Sequence, residues 1–169
     1  QTIIKCPKPI IAEVAGTATA AGCQLVASCD LAYASSSAKF ATPGVNIGLF
    51  CSTPMVAISR NLSNKHSMEM LLTGELISSD KAAKIGLIND VIEINELKDF
   101  VLDKAKKISK KSSVTLKIGK EAFYKQLDMK LSDAYDYASK VMVQNMLKLD
   151  AKEGIDAFID KREPNWKDK

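Results

Sequence analysis

The sequence predicts an α/β protein in which a buried sheet comes first and amphipathic helices follow. Only five of the first 59 residues are charged, and this stretch is rich in Ala, Gly, Ser and Thr. Between residues 10 and 34 a short apolar run, a helix start and a second apolar run follow one another. After Asn95 the apolar residues recur every three or four positions, which is typical of helices that bury one face. At 169 residues the chain has the length of one ordinary domain.

The composition excludes several classes of protein. With 46% hydrophobic and 26% charged residues, the chain fits a globular protein and neither a disordered nor a collagen-like one. It contains no run of 18 apolar residues, so we expect no membrane span. The net charge is +4, and the ten lysines between Lys98 and Lys130 are interspersed with helical apolar positions. We therefore expect a solvated helix surface there, with nucleic-acid binding or attraction of ligand phosphates as alternatives.

Cysteine and histidine do not form a recognisable metal motif. The four cysteines contain no C-x-x-C pair, and His66 is the only histidine. We expect no metal site and interpret the cysteines as small buried side chains. Residues 1–11 carry no signal-peptide pattern and the chain lacks an initiating Met, so we expect it to begin inside a longer protein.

The first elements form a crossover. Ile10–Val14 lies between Pro9 and Gly16 and is long enough only for a strand. We expect Thr17–Ala21 to be a loop of small residues and a helix to begin at Gly22. Asp30 then precedes a second strand, Leu31–Ala34. A strand, a helix and a strand in this order favour a parallel pair with a right-handed connection.

The middle of the chain alternates turns with short helices. Phe40–Gly44 is predicted to be extended and to end in a turn, and Ser52 or Thr53 is expected to cap a helix that has Pro54 at its first position and reaches about Asn61. Gly74 and Gly86 are expected to end two further helices, the second of which begins at Ser78 or Ser79. A last strand is expected at Leu87–Ile92, and the chain is expected to be helical after Asn95.

A run of small residues, Thr19-Ala20-Ala21-Gly22, leads into the first predicted helix. The amide groups of a first helical turn have no acceptor within the helix and lie at its positive end. They can therefore hold an oxygen that becomes negative during a reaction, and small side chains give a ligand access to them. The same residues also suit tight packing between a strand and a helix, so this signal alone leaves both interpretations open.

Several motifs resemble the enoyl-CoA hydratase/isomerase (crotonase) superfamily, and they occur in the same order over nearly the whole chain. They are Pro9–Gly16, Ala20–Gln24, Cys29–Ala34, Phe40–Pro43, Met68–Gly74, Ala82–Leu87 and Glu153–Arg162. The resemblance implies a crotonase-like ββα spiral that lacks its N-terminal part. Residues 1–94 would form the spiral core, and residues 95–169 a helical region for oligomerisation and CoA contact.

The resemblance also implies a ligand and a site. The ligand would be an acyl-CoA thioester, with no separate cofactor and no metal, and the protein would be a trimer or a pair of trimers. The Ala21 amide matches one of two backbone groups that stabilise an enolate-like intermediate, with Gly22 beside it. Phe158 and Lys161 match positions that reach the CoA adenine and phosphate from the adjacent subunit.

Two positions depart from the family pattern. Where related hydratases have a pair of glutamates that move the proton and activate water, this chain has Gln24 and Gly44. The glutamine amide does not titrate near neutral pH and glycine has no side chain, so neither residue can act as an acid or a base. Since each acid/base group gives roughly 10²–10⁴ in rate, we expect hydratase activity to be weak or absent.

Other residues offer weaker candidates for chemistry. Cys51 precedes a predicted helix start, where a thiolate would be favoured. Asn46 could bind a substrate, although a turn role is expected. Asp30 is expected to satisfy backbone groups, and His66 to be a surface helix residue.

The sequence therefore predicts an acyl-CoA-binding protein of fatty-acid metabolism, similar to the lyases and isomerases of this family and mitochondrial by resemblance. The alternatives are a non-catalytic member that acts in oligomer assembly, another thioester reaction such as hydrolysis or decarboxylation, and RNA binding through the lysine-rich helices.

Overall fold

The computed structural model describes residues 1–169 and divides into two compact units. We call residues 10–105 the sheet unit, and residues 1–9 with 106–169 the helical unit. The resemblance implies a boundary at residue 94, whereas the two compact units divide after residue 105, inside a helix. The roles assigned to residues 1–94 and 95–169 remain predictions.

The sheet unit contains six short strands, five complete helical segments and the larger part of a sixth. In chain order they are β1 (Ile11–Val14), β2 (Thr17–Thr19), α2 (Ala21–Ser28), β3 (Leu31–Ser35), β4 (Lys39–Ala41), a 3-10 helix (Pro43–Ile47), α3 (Ser52–Ile58), α4 (Asn64–Thr73), β5 (Ile77–Ser78), α5 (Ser79–Ile85), β6 (Asp90–Ile92) and α6 (Ile94–Ser109). The helix α1 (Thr2–Lys5) precedes them in the helical unit.

The strands form two three-stranded sheets that grow together along the chain. One sheet has the order β1-β3-β6 and is entirely parallel. The other has the order β2-β4-β5, in which β2 and β4 are parallel and β5 is antiparallel. Each successive pair of strands adds one strand to each sheet, which is the ββα spiral that the resemblance implied.

The first crossover confirms one expectation and corrects another. β1 and β3 pair in parallel, with Ile11 opposite Leu31, as predicted. The predicted loop Thr17–Ala21 is wrong, because Thr17–Thr19 is a strand that pairs with β4. Three residues are too few for an alternation of polar and apolar side chains to be recognised in the sequence. The helix α2 begins at Ala21, one residue earlier than expected.

The predicted helix start at residues 52–54 is also wrong in detail. Cys51 occupies the capping position without a side-chain hydrogen bond, and Ser52 is already helical. Its hydroxyl donates to the Phe50 carbonyl, 3.3 Å away, and Pro54 is the third helical residue. The helix ends at Ile58, before the predicted Asn61.

The next two helices end at glycines as predicted, and the second also begins where predicted. Gly74 and Gly86 follow α4 and α5 in left-handed conformations, with φ of 63° and 88°. Ser78 caps α5 by accepting a hydrogen bond from the Lys81 amide. The last strand is shorter than predicted and covers only Asp90–Ile92.

Two clusters of buried side chains hold the sheet unit together. The larger one joins both sheets to α2 and α3 through Cys23, Val26, Phe40 and Ile58. Phe40 and Ile58 have no exposed surface. The smaller cluster places the first turns of α6 against β3, where Tyr33 meets Phe100 edge to face at 5.1 Å. Burial of these apolar faces supplies the main stabilisation of short strands and helices.

The helical unit consists of the N-terminal segment, the end of α6 and three long helices. The helices are α7 (Ser113–Gln126), α8 (Leu131–Met146) and α9 (Leu149–Ile159), and residues 160–169 follow without regular structure. Lys120 of α7 donates to the carbonyls of Ile3 and Lys8, at 2.9 and 3.0 Å. No helix of the chain combines the length and the apolar composition needed to cross a membrane.

The last ten residues are fastened by two carboxylates of α9. Asp150, only 1% exposed, accepts hydrogen bonds from the amides of Lys167 and Asp168, at 2.8 and 3.1 Å. Burial raises the pKa of Asp150, but hydrogen bonds from the Ser112 hydroxyl and these amides outweigh it and leave the pKa below its usual value. Glu153 accepts a hydrogen bond from the Asn165 amide at 2.7 Å.

Trp166, the only tryptophan, reports on this segment. Its indole N–H donates to the Lys110 carbonyl at 2.7 Å, and its ring lies over Gly154. Its fluorescence should therefore change when residues 160–169 detach.

We expect Asp150→Ala to lower the free energy of unfolding by about 2 kcal/mol, because it leaves the buried Ser112 hydroxyl and the Lys167 and Asp168 amides without their acceptor. Urea unfolding followed by Trp166 fluorescence measures this loss. The control is Asp128→Ala, an exposed aspartate, for which we expect a change within about 0.5 kcal/mol. Equal losses in the two variants would contradict the role given to Asp150.

We also expect acid to release the C-terminal segment. Hydrogen bonds from Arg162 and from the Asn165 amide lower the pKa of Glu153 to about 2, from 4.5. A depressed pKa stabilises the fold above the unfolded value, so this contribution is complete above about pH 5 and is lost as the pH falls toward 2. In Glu153→Gln the stability should depend less on pH in this range, whereas Glu163→Gln, at an exposed position, should keep the wild-type slope. Identical slopes for wild type and Glu153→Gln would refute this assignment.

Candidate functional site: the start of α2 and the turn at Gly44

The chain turns sharply from β2 into α2 at Ala20. Its amide donates to the Ala41 carbonyl at 3.0 Å, which continues the pairing of β2 with β4. Its φ of 48° and ψ of −114° are strained for a residue with a side chain. The first intrahelical bond runs from the Gln24 amide to the Ala20 carbonyl. The amides of Ala21, Gly22 and Cys23 therefore have no acceptor within the helix.

The predicted site residues of α2 lie on its first two turns. Ala21 is exposed, and Gly22 and Gln24 are half-buried. A Cβ atom added at Gly22 would meet only the Ala18 Cβ, at 3.9 Å. Small or absent side chains thus leave the backbone of the first turn accessible, and an eight-residue helix directs its positive end toward the same place.

Gly44 lies in the 3-10 helix that follows β4. The fully buried Thr42 anchors the start of this segment by donating from its hydroxyl to the Met70 carbonyl at 2.9 Å. The Gly44 carbonyl accepts from the Leu49 amide at 2.9 Å, so the chain folds back onto Gly44.

This fold-back leaves no space for a side chain at position 44. A Cβ atom built there would lie 2.8 Å from the Leu49 carbonyl oxygen and 2.9 Å from the Cys51 sulfur. The Gly44 backbone does not have a positive φ, so the requirement for glycine comes from close approach and not from backbone conformation. A carboxylate could enter here only if residues 49–51 moved.

Cys51 joins this turn to α2. Besides its contact with Gly44, the Cys51 thiol is close enough to Cys23 to affect its ionisation. Burial, and then the nearby Cys51, raise the pKa of Cys23 to about 12. The Cys23 thiol therefore stays protonated near neutral pH, and Cys51 itself is 8% exposed. Both residues serve as small packing groups between α2 and the turn.

The remaining polar candidates of the sheet unit have structural contacts. Asp30 accepts from the Ile10 amide at 2.7 Å, and Asn46 donates to the Gly74 carbonyl at 3.5 Å, as expected for backbone and turn roles. His66 lies in the first turn of α4, where its amide donates to Ser63 Oγ. No group of three or more His, Cys, Asp or Glu side chains could hold a metal ion.

Phe158 and Lys161, the two predicted CoA contacts, belong to the helical unit. Phe158 lies in the last turn of α9 with 85% of its surface exposed, and Lys161 follows the helix.

Three features of the site were not predicted from the sequence. These are the strained backbone of Ala20, the contact between Cys51 and Gly44, and the fold-back at Leu49. The small residues 19–22 marked the position of the first. The other two are contacts between residues five to seven positions apart in an irregular turn, which no periodic pattern reveals.

A sequence model described as enoyl-CoA hydratase/isomerase matches residues 1–169. The chain belongs to the enoyl-CoA hydratase/isomerase family. Its α/β fold is crotonase-like, which confirms the resemblance and the fold class predicted from the motifs.

The relatives of this family member include one named as an enoyl-CoA hydratase and others named as enoyl-CoA hydratase domain-containing proteins. Enoyl-CoA hydratase domain-containing protein 3, mitochondrial, of Rattus norvegicus is 54% identical over 95% of this chain and 53% of its own length. Enoyl-CoA hydratase, mitochondrial, of Pongo abelii is 33% identical over 95% of this chain and 56% of its own length. The chain thus spans about half the length of the curated relatives it matches.

Two solved structures of similar proteins superpose closely on this chain. The crystal structure of human enoyl-CoA hydratase domain-containing protein 3 superposes with a TM-score of 0.95 and 50% identity, over 98% of this chain and 65% of that one. An enoyl-CoA hydratase of Mycobacterium smegmatis gives a TM-score of 0.95 and 48% identity, over 97% and 64%.

We expect Gly44→Ala to lower the free energy of unfolding by about 1–3 kcal/mol, because the new methyl group would collide with backbone and sulfur. Gly16→Ala is the matched control, since a Cβ atom there meets nothing within 4 Å. It should be neutral or slightly stabilising. Thermal or urea unfolding of both variants checks the difference, and equal effects would mean that position 44 is not closed.

Proposed function

We propose that this family member binds an acyl-CoA thioester and supports weak or no hydration of it. The proposal is carried by one observation: the start of α2 offers accessible backbone donors, while Gly44 is closed to any side chain.

The backbone donors suit a thioester carbonyl. Two amides at the positive end of α2, those of Ala21 and Gly22, lie beside small residues that a ligand can approach. A donor of this kind that is aimed at a developing oxyanion is worth roughly 10²–10³ in rate. The Ala21 amide is the group that we assign to the thioester oxygen.

Proton transfer is what this site lacks. At the two positions matched to the family's glutamates, Gln24 has an amide and Gly44 has no side chain, so neither can take or give a proton. A single reversion to glutamate at position 44 would meet the Leu49 carbonyl and the Cys51 sulfur. The absence of a carboxylate at position 44 therefore follows from the shape of the turn as well as from the residue present there.

Further parts of the proposal rest on family membership. We assign the protein to fatty-acid metabolism in mitochondria, since several relatives are named mitochondrial. We propose a homotrimer, or a pair of trimers, in which Phe158 and Lys161 reach the CoA nucleotide bound by the adjacent subunit. Reactions that need an oxyanion grip without a carboxylate pair, such as thioester hydrolysis or decarboxylation, fit the same site.

A second candidate function, assembly with other copies or relatives, is favoured by the exposed apolar side chains of α8 and α9. These are Leu131, Tyr135, Met142, Val143, Met146, Leu149, Phe158 and Ile159, each more than half exposed. Exposed apolar patches of this kind mark interaction surfaces.

The test compares two ligands that differ only at the carbonyl. Butyryl-CoA, a thioester, should bind more tightly than S-butyl-CoA, its thioether, by about tenfold, because only the thioester offers an oxygen to the Ala21 amide. Isothermal titration calorimetry measures both affinities. Hydration of crotonyl-CoA, followed by the loss of its conjugated absorbance, should be at least about 10²-fold below that of an active family member.

Three outcomes decide between the candidates. Equal affinity for thioester and thioether would contradict the oxyanion assignment. Hydration at the rate of an active relative would contradict the claim that Gln24 and Gly44 leave the site without acid/base groups. No binding of either ligand, together with stable co-purification of another family member, would favour assembly as the function.

A further inference from the structure

The helix α9 ends in a motif that usually requires glycine. The Arg162 amide donates to the Ala157 carbonyl at 3.0 Å, and the Lys161 amide donates to the Phe158 carbonyl at 3.3 Å. This pair of bonds defines a Schellman motif, in which the residue after the helix takes a left-handed conformation. Here that residue is Lys161, with φ of 53°.

The same chain has glycine in this conformation after two other helices, and at Gly86 an added Cβ atom would meet only the Asn61 carbonyl oxygen, at 3.8 Å. Gly74 and Gly86 are the left-handed residues after α4 and α5, with φ of 63° and 88°. A left-handed residue with a side chain is strained and persists only when its surroundings enforce it. The end of α9 therefore holds a lysine against its own conformational preference.

The constraint comes from the next residue. The Arg162 guanidinium forms two parallel hydrogen bonds with the Glu153 carboxylate, Nη1 to Oε1 at 2.7 Å and Nη2 to Oε2 at 3.1 Å. Glu153 also accepts from the Asn165 amide at 2.7 Å, so the chain is fixed on both sides of the turn. A bidentate arginine–carboxylate pair defines orientation as well as distance.

This arrangement displays one aromatic ring and one ammonium group at the end of α9. Phe158 is 85% exposed and Lys161 is exposed, so neither is held by packing within the helical unit. A ring and a cation separated by three residues suit a ligand that carries a heteroaromatic base and a phosphate.

We propose that Glu153 and Arg162 are positioning residues, which hold Lys161 in its left-handed conformation so that its ammonium meets the 3′-phosphate of the CoA nucleotide. This inference rests on the proposed function, from which it takes the ligand. It adds the residues that set nucleotide specificity and the reason for a strained lysine at this point.

The experiment measures the affinity for CoA and for 3′-dephospho-CoA by calorimetry on wild type and three variants. Wild type should prefer CoA by about tenfold, the value of one charge-assisted contact. Glu153→Gln should reduce this preference severalfold, and its affinity for 3′-dephospho-CoA should be unchanged, which a merely structural defect would not produce. Glu163→Gln, the same substitution at a neighbouring exposed glutamate without an ion pair to Arg162, should keep the wild-type preference.

Lys161→Gly provides a test that does not depend on whether Glu153→Gln folds. Glycine relieves the backbone strain, so the melting temperature should rise, while the preference for CoA should disappear. Trp166 fluorescence verifies that the C-terminal segment is in place in every variant.

The outcomes separate the two proposals. Failure of the wild type to bind butyryl-CoA or CoA overturns both. Binding of these ligands with no preference for the 3′-phosphate, or an unchanged preference in Glu153→Gln or in Lys161→Gly, overturns only the positioning role.

Discussion

The hydrogen bond from the Ala20 amide to the Ala41 carbonyl is the contact on which the site depends. It extends the pairing of β2 with β4 by one residue and forces the chain to leave the sheet at a fixed point. The strained backbone of Ala20 makes the turn, and α2 starts at once. As a result, the unpaired amides of the first turn arise where the sheet ends, and parallel pairing of β1 with β3 fixes where the helix must finish.

The opposite side of the site follows from a different constraint, which is steric. The turn after β4 is anchored by Thr42 and folds back through the Leu49 amide onto Gly44. This places the Leu49 carbonyl and the Cys51 thiol where a side chain of residue 44 would begin. Position 44 is therefore closed to a side chain by its surroundings, which supports the proposal of thioester binding with weak or no hydration.

The sequence predicted those parts of the fold that rest on repeated patterns or on a residue with one dominant role. The strands around residues 11–14 and 31–35, their parallel pairing, and the helix ends at Gly74 and Gly86 all follow from such signals. The strand Thr17–Thr19 was not predicted, because three residues are too few to show an alternation of polar and apolar side chains and its partner strand lies some twenty residues away. The order of the motifs identified the family, but the closure around Gly44 depends on one irregular turn and is visible only in three dimensions.

Three residues with side chains, Ala20, Lys161 and Asp168, have a positive φ, and at Ala20 and Lys161 glycine would adopt the same conformation at lower cost. Ala20 precedes a helix and Lys161 follows one, so each sets the direction of a polar group beyond a helix end. In both cases the neighbouring contacts over-determine the turn: the ladder bond to Ala41 in one case and the Glu153–Arg162 pair in the other. The helices α4 and α5 end at left-handed glycines without this strain. The strain that persists at Ala20 and Lys161 therefore indicates that these positions retain the direction of a polar group at a cost in stability.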